Sequence, residues 1–509
     1  MSNGKTPSAP SLPATPEEKD TLIFKQQEKI TALTFELANL KRLIFGQKAE
    51  RFVHAQVPIE QTKLFSEEVP SVGIAETKEK ISYERCKPAR KGHGRNPIPE
   101  GIYTEIILLE PTAEEKHCTT CDTDKVFIGN DESTELEYKP AVFYAKKYVR
   151  PKYVCKTCPD AGVTMAPLPA RPIERGVAGV NLITWIIISK FLDGLPLYRI
   201  EKIFNRYGIH INRSSMVGWI EQVCHYLQNI YDIMREDLLK SYCIQGDETP
   251  LKVLDGETQG KAHLGWLFPY VGDECLAIFD YRHGRGREGP NEMLKDFDGK
   301  HLMTDGYAGY LEIVNRKSLV HLICWVHARR GFFEAKETEP EFAGKVLNLI
   351  GQLYDIESRA RDNKMEPAQR FELRKKESTP IVEAIHQLIQ NPGKTILPQS
   401  PMGKAITFAL NHWEKLNNFL LDGKLPIDNN LVERLIRTVA IARKNFLFCG
   451  SEEGAKRTAI IYSLIATCKL NDINPFEYLS DVLTRIADYP VKKIRDLTPA
   501  AWKLSKNAG

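Results

Sequence analysis

Residues 242–254, YCIQGDETPLKVL, decide how the rest of the chain is read. The run is strand-like and carries two adjacent carboxylates, Asp247 and Glu248. Successive side chains of a continuing strand point to opposite faces, so Glu248 is expected to face away from Asp247. Two further strand-like runs follow after short connections, HLGWLFPYVG (263–272) and CLAIFDYR (275–282). Then come a helical PNEMLKDF (290–297), the strand KHLMTD (300–305), a helical GYAGYLEIV (306–314) and the apolar strand LVHLICW (319–325), which runs into HARRGFFEA (327–335).

This β-β-β-α-β-α-β order is that of a ribonuclease H-like core, in which the first and fourth strands lie side by side. Asp247 on the first strand and Asp305 at the end of the fourth then face each other. From about 335 to 425 the sequence is charged and helix-patterned, as in KVLNLIGQLYDIESRARD (345–362), and reads as a helical insertion. Next, PIDNNLVERLIR (426–437) places Glu433 beside Arg434 and Arg437 on a helix that follows the turn-forming Asp428-Asn429-Asn430. Taken alone, such a glutamate is a solvated charge in a weak i,i+4 pair.

The whole chain bounds the reading. Its 509 residues suffice for several domains, and 42% hydrophobic with 27% charged composition is that of a globular protein. A formal charge of +4 and a pI near 8.3 are mildly basic, so affinity for nucleic acid has to come from local clusters. ITWIIISKFL (183–192) falls short of the roughly 18 apolar residues a membrane span needs, and the polar N-terminus lacks a signal-peptide core. The expected location is therefore cytoplasmic, with no membrane partner. Of eleven cysteines most stand singly in apolar stretches, which argues against disulfides.

Residues 1–16 are rich in Pro, Ser and Ala and read as a disordered tail. Ile23, Ile30, Leu37 and Ile44 recur at heptad spacing with Leu33 and Leu40 between them, a short coiled coil over 17–50 for self-association or for packing on the protein's own body. A linker and basic arm occupy 51–100. Arg90, Lys91 and Arg95 lie there among glycines and prolines, as a phosphate-tracking arm or a solvated linker. In 101–172 the pairs Cys118/Cys121 and Cys155/Cys158 supply four thiolates, the tetrahedral demand of structural zinc, with His117 a possible substitute ligand and redox chemistry the bland alternative. Residues 173–238 read as helical. A turn at Gly208 and a second helix opening at Arg213 and Ser214 have the layout of a helix-turn-helix that touches DNA.

TDGYAGY (304–310), CWVHARR (324–330), IDNNLVERLIR (427–437), ARKNFLFCGSEEGA (442–455) and IYSLIATCKLNDINPFEYL (461–479) together resemble the insertion sequence sixty-six family of bacterial transposases. The heptad segment, the zinc-finger segment and the C-terminal tail stand in that family's order, so the resemblance covers nearly the whole chain. It implies a multidomain α/β protein. A ribonuclease H-like catalytic core (239–335, closed by the helix of 426–460) carries a helical insertion (336–425). Ahead of it stand a coiled coil, a zinc-binding β module and a helical DNA-binding region, and behind it a helical tail (461–509).

The family is of the Asp-Asp-Glu class, and the resemblance implies Asp247, Asp305 and Glu433 as its carboxylates. Phosphodiester cleavage and strand transfer develop negative charge on attacking and leaving oxygens, which two Mg²⁺ (or Mn²⁺) ions about 3.5–4 Å apart stabilise. Asp247 would bridge the ions, with Asp305 and Glu433 each anchoring one. Arg329, Arg330, Arg434, Arg437, Arg443 and Lys444 are candidates for phosphate contacts. Asp428, Asp280 and the Cys324/His327 pair are neighbours that compete for roles, and Trp413 is a base-stacking or core residue. The implied partners are element ends, target DNA, further copies of the chain and companion proteins of the same element. A DNA-binding regulator, or a nuclease of the same fold that does not join strands, are the rival functions.

Overall fold

The computed structural model describes residues 178–254 and 261–507, with short stretches at 143–149, 153–154, 163–164 and 169–173 and the helical Lys29. The tail, nearly all of the heptad segment, the linker and basic arm, and the four paired cysteines lie outside the described residues. The chain divides into two compact units, 51–168 and the remainder. In the smaller one the described element is an antiparallel pair, β1 (Tyr153–Val154) with β2 (Val163–Thr164).

In the larger unit, α1 (Val180–Phe191) buries Ile183, Ile186, Ile187 and Phe191, as expected of a helix that is apolar on most sides. The shorter α2 (Leu197–Arg206) is amphipathic, burying Ile200 and Phe204. Gly208, at φ +71°, turns the chain toward α3 (Arg213–Leu238). This is the helix pair read from sequence, with Arg213, Ser214 and Ser215 exposed at the start of α3 and Arg213 paired to Glu201 at 3.2 Å.

The sheet follows as β3 (Cys243–Gly246), β4 (Thr249–Leu254), β5 (Ala262–Val271), β6 (Ala277–Arg282), β7 (His301–Thr304) and β8 (Val320–Ile323). Both β3 and β4 run antiparallel along one edge of β5, with Gln245 opposite Val271 and Thr249 opposite Leu267. They are one strand interrupted at Asp247 and Glu248. On the other edge of β5 lies β6, also antiparallel, while β7 pairs parallel with β3 and β8 parallel with β7. Both β3 and β7 are buried at every position, as central strands covered on two faces should be. Two short helices, α4 (Glu288–Met293) and α5 (Leu311–Lys317), precede β7 and β8.

Beyond β8 the chain forms α6 (Trp325–Glu334), α7 (Pro340–Asp362), α8 (Pro367–Leu373), α9 (Thr379–Gln390), α10 (Pro401–Asn411) and α11 (Trp413–Asn417). Trp325, Phe332, Val346, Ile350, Ile385 and Met402 share one core there with Met303 and Leu322 of the sheet. A π-helical turn at Arg374–Ser378 sets Arg374 wholly inside. It bonds both oxygens of Glu357, at 2.7 and 2.9 Å, and the carbonyls of Phe419, Asp422 and Leu425. The chain then returns to the sheet as α12 (Asn430–Phe446), α13 (Glu452–Leu470), α14 (Pro475–Arg485) and α15 (Pro499–Asn507). Buried nearly all round, α13 covers β6. Ser463 and Thr467 accept the N–H groups of Phe279 and Ala277 at 2.8 and 3.0 Å, which satisfies an edge that would otherwise be open to pairing. Among the described residues no helix is long and apolar enough to cross a membrane.

Candidate metal centre

The break between β3 and β4 comes where β7 ends, so two strand ends meet. The Asp247 side chain accepts the N–H of Glu248 at 2.7 Å, turning the backbone out of regular pleat. After β7, Gly306 takes φ +100°, a conformation open to glycine, and Asp305 accepts the N–H of Tyr307 at 2.7 Å. Carboxylate oxygens of Asp247, Glu248 and Asp305 consequently converge, all within 4.8 Å of one another. The expectation that Glu248 faces away from Asp247 is overturned, because the alternation of a strand does not extend across an interrupted one.

The carboxylates of the acidic cluster repel one another in a partly buried setting. Burial, and next the charge of Asp305, push Asp247 up to about 8. Glu248, with a side chain only 2% exposed, is pushed up to about 7 by burial and by Asp305, while its bond to Arg285 acts the other way. One Glu248 oxygen takes the Arg285 guanidinium at 3.0 Å; the other, Oε2, is buried with no hydrogen-bond partner. Arg285 is itself held over Tyr307, 4.2 Å from its ring centre, and lies 5.0 Å from that of Trp266. Three crowded carboxylates with an unpartnered oxygen fit a hard divalent cation, which takes oxygen ligands and offsets their repulsion.

Glu433 lies in the first turn of α12 and outside that converging group. Its Oε1 is 3.4 Å from Arg330 and 3.7 Å from Nε2 of His327, and its charge contributes to raising Asp247. Burial and then Arg330 lower His327 below the ordinary imidazole value, against the pull of Asp305 and Glu433. The Cys324/His327 pair does not act as one unit. Cys324 accepts the N–H of Asn429 at 3.4 Å and its thiol is pushed up to about 12 by burial, whereas His327 turns to Glu433. Asp428 caps the turn, accepting the Asn430 N–H at 3.1 Å, and Asp280 is paired with Arg282 at 2.6 Å. Trp413 stacks on His386 at 4.5 Å against the helical core.

Arg329, Arg330, Arg434, Arg437 and Lys444 are exposed, as are Arg213 and Ser214. Arg443 is instead committed internally, to Thr249 Oγ1 at 2.7 Å and the Pro250 carbonyl at 2.6 Å. Arg90, Lys91, Arg95 and the zinc-ligand candidates Cys118, Cys121, Cys155 and Cys158 lie outside the described residues. Sequence reading missed Glu248 and Arg285. The signal for Glu248 was its adjacency to Asp247; nothing local marks Arg285, which reaches the cluster from the loop after β6.

Comparison with known proteins identifies the family. The Transposase IS66 family matches residues 175–457, more than half of the chain, and the IS66 C-terminal element matches 463–500. The zinc-finger binding domain of transposase IS66 matches 115–159, and a segment described as Transposase C of IS166 homeodomain matches 32–104. The chain is 33% identical over 500 residues to the uncharacterized protein y4qI of Sinorhizobium fredii, covering 94% of this chain and 90% of the relative. It is 31% identical over 490 residues to y4jD of the same organism, covering 92% and 94%.

Proposed function

The chain belongs to the IS66 transposase family, and we propose that it binds the ends of a mobile element and carries out metal-dependent cleavage and strand transfer of DNA. The observation that carries this reading is the convergence of Asp247, Glu248 and Asp305 at the ends of two adjacent strands, with Glu433 at the start of the helix that closes on them. The sheet order β6–β5–β3/β4–β7–β8 supports a ribonuclease H-like core.

Asp247, Asp305 and Glu433 are the proposed metal-holding carboxylates, with Glu248 close enough to share the load. Divalent cations bound there supply Lewis-acid stabilisation of charge developing on the phosphate oxygens. Arg285 restrains Glu248 on one side of the cluster, and Arg330 and His327 restrain Glu433 on the other. Exposed Arg329, Arg434, Arg437 and Lys444 are placed to neutralise the backbone of bound DNA, and Arg213 and Ser214 to meet it at the helix pair. Four cysteines of the smaller unit hold the structural zinc, and association of two copies through the heptad segment suits a reaction that joins two ends.

The test uses DNA bearing the element's own ends, with companion proteins of the element supplied. Wild-type protein nicks and joins strands in Mg²⁺; Asp305→Asn and Glu433→Gln bind the same DNA and do neither. Cleavage without joining of a pre-cut 3′-hydroxyl end would make the protein a nuclease of the same fold. Binding with no cutting by wild type would make it a regulator.

A further inference from the structure

A second group of ligand atoms converges away from the acidic cluster and shares no residue with it. His263 Nε2, His283 Nδ1 and a Glu452 carboxylate oxygen lie within 4.8 Å of one another. We infer that His263, His283 and Glu452 form a binding site for a divalent transition-metal ion, Zn²⁺ being the natural occupant, which fastens the start of α13 to the β5–β6 hairpin.

The backbone builds this arrangement. Trp266 pairs with Arg282, so His283, just past the end of β6, comes diagonally across from His263 on β5. The two imidazoles stack, with centroids 4.1 Å apart and planes 25° from parallel, and both turn a nitrogen to the same oxygen, Oε1 of Glu452. The His263 separation is 3.3 Å. An ion with bonds of about 2.1 Å in a tetrahedral shell spaces its ligand atoms about 3.4 Å apart, which the His263 contact already matches, whereas His283 Nδ1, 2.5 Å from the same oxygen, has to withdraw by about 1 Å and its exposed ring has to turn from the stack to aim at the ion. Two imidazoles with one carboxylate suit zinc, copper or nickel and disfavour Mg²⁺, which prefers all-oxygen shells.

Tyr281 completes the surroundings. Its hydroxyl lies 3.3 Å from His263 Nε2 and 3.5 Å from Glu452 Oε1. The ring reaches there by crossing Gly265, where a Cβ would meet it at 2.6 Å. A glycine is therefore required beneath this ring, diagonal to Tyr281 across the β5–β6 pair. His283 is 73% exposed, which leaves the ion a path from solvent and room for water as a further ligand.

The position gives the ion a structural consequence. Glu452 is the first residue of α13, and the 447–451 segment before it links α12, which carries Glu433, to that helix. This segment is already stitched to β4, the Cys449 N–H donating to Lys252 at 2.8 Å and its carbonyl accepting from Leu254 at 2.9 Å. An ion on Glu452 adds a second anchor at the same joint.

The experiment equilibrates the full chain with enough Zn²⁺ to fill its tight sites in a large excess of Mg²⁺, which saturates the acidic cluster, removes unbound metal, and counts bound zinc per chain by elemental analysis. Wild type and Asp305→Asn hold one zinc more than His283→Ala and Glu452→Gln, whatever the cysteine module contributes to all four. Tyr281→Phe keeps the ion, since the hydroxyl contacts the ligand nitrogen itself and lets go of it when an ion binds. Equal zinc in wild type and a His283→Ala variant with an unchanged circular dichroism spectrum overturns the site and leaves the three residues a surface hydrogen-bonded group. The variant alters an exposed side chain, so misfolding does not cloud the comparison. Loss of transposition chemistry elsewhere would leave this count untouched.

Discussion

Replacing Asp247 with Asn should stabilise the metal-free protein and abolish its response to Mg²⁺. In the folded state Asp247 is pushed from 3.8 up to about 8. Between those values the native state holds a proton that the unfolded chain has released, so stability is greatest below the lower one and falls as pH rises through the window. At about pH 7.5 the penalty of keeping this carboxyl in place has a ceiling of about 5 kcal/mol, and relaxation with water entry brings the net effect to about 1–3 kcal/mol. Asparagine keeps the shape and the carbonyl that accepts the Glu248 N–H, while removing the charge that opposes Asp305.

The assay is thermal unfolding across pH 5–8.5, with Mg²⁺ omitted rather than chelated so that zinc is retained. Wild-type protein loses stability toward high pH; the variant is flatter, keeps a residual slope from Glu248, which is held near about 7, and exceeds wild type above pH 7 by a few degrees. Adding Mg²⁺ reverses the ranking, since a ligand that binds the native state stabilises it by mass action and the variant has lost a ligand. A variant less stable than wild type at pH 8 without Mg²⁺ would refute the reasoning, as would equal Mg²⁺ responses.

Other outcomes follow from the same geometry. Glu433→Gln should lower joining at least about a hundredfold, about 2.7 kcal/mol in barrier, with DNA binding kept; Glu248→Gln should cost less, and the reverse ranking would transfer the third-ligand role to Glu248. Arg374→Met strips Glu357 Oε1 and three carbonyls of their partner in the core while Arg370 still holds Glu357 Oε2, so unfolding free energy should drop by about 2–4 kcal/mol in chemical denaturation, and a change under about 1 kcal/mol would show that the interior rearranges around the loss. Deleting 17–50 should reduce the mass measured by light scattering, and an unchanged mass would assign the heptad stripe to internal packing.

Much of this architecture was legible because apolar runs and breaks alternate cleanly from 242 to 325. Each expected strand is present, and the parallel pairing of β3 with β7 brings Asp247 near Asp305 as the element order required. What escaped is the interruption at 247–248. It arises from a side chain bonding its own backbone, an event of a few atoms that periodicity does not register. Arg285 escaped for a different reason: its partners Glu248, Trp266 and Tyr307 come from separate segments, so only the fold assembles them.

The separate placement of Glu433 has an electrostatic cause. Asp247, Glu248 and Asp305 already crowd one another enough to raise two of the three, so a further carboxylate would add repulsion with nothing to offset it. Glu433 rests instead against the cation that α6 offers, Arg330, at a distance near the weak limit of a hydrogen bond. Asp247 and Asp305 sit on neighbouring strands and keep their separation by backbone pairing, whereas Glu433 rides on a helix whose side chain can exchange one cation for another. Under the proposed function, two fixed carboxylates and one exchangeable one would let a divalent cation enter and then be held.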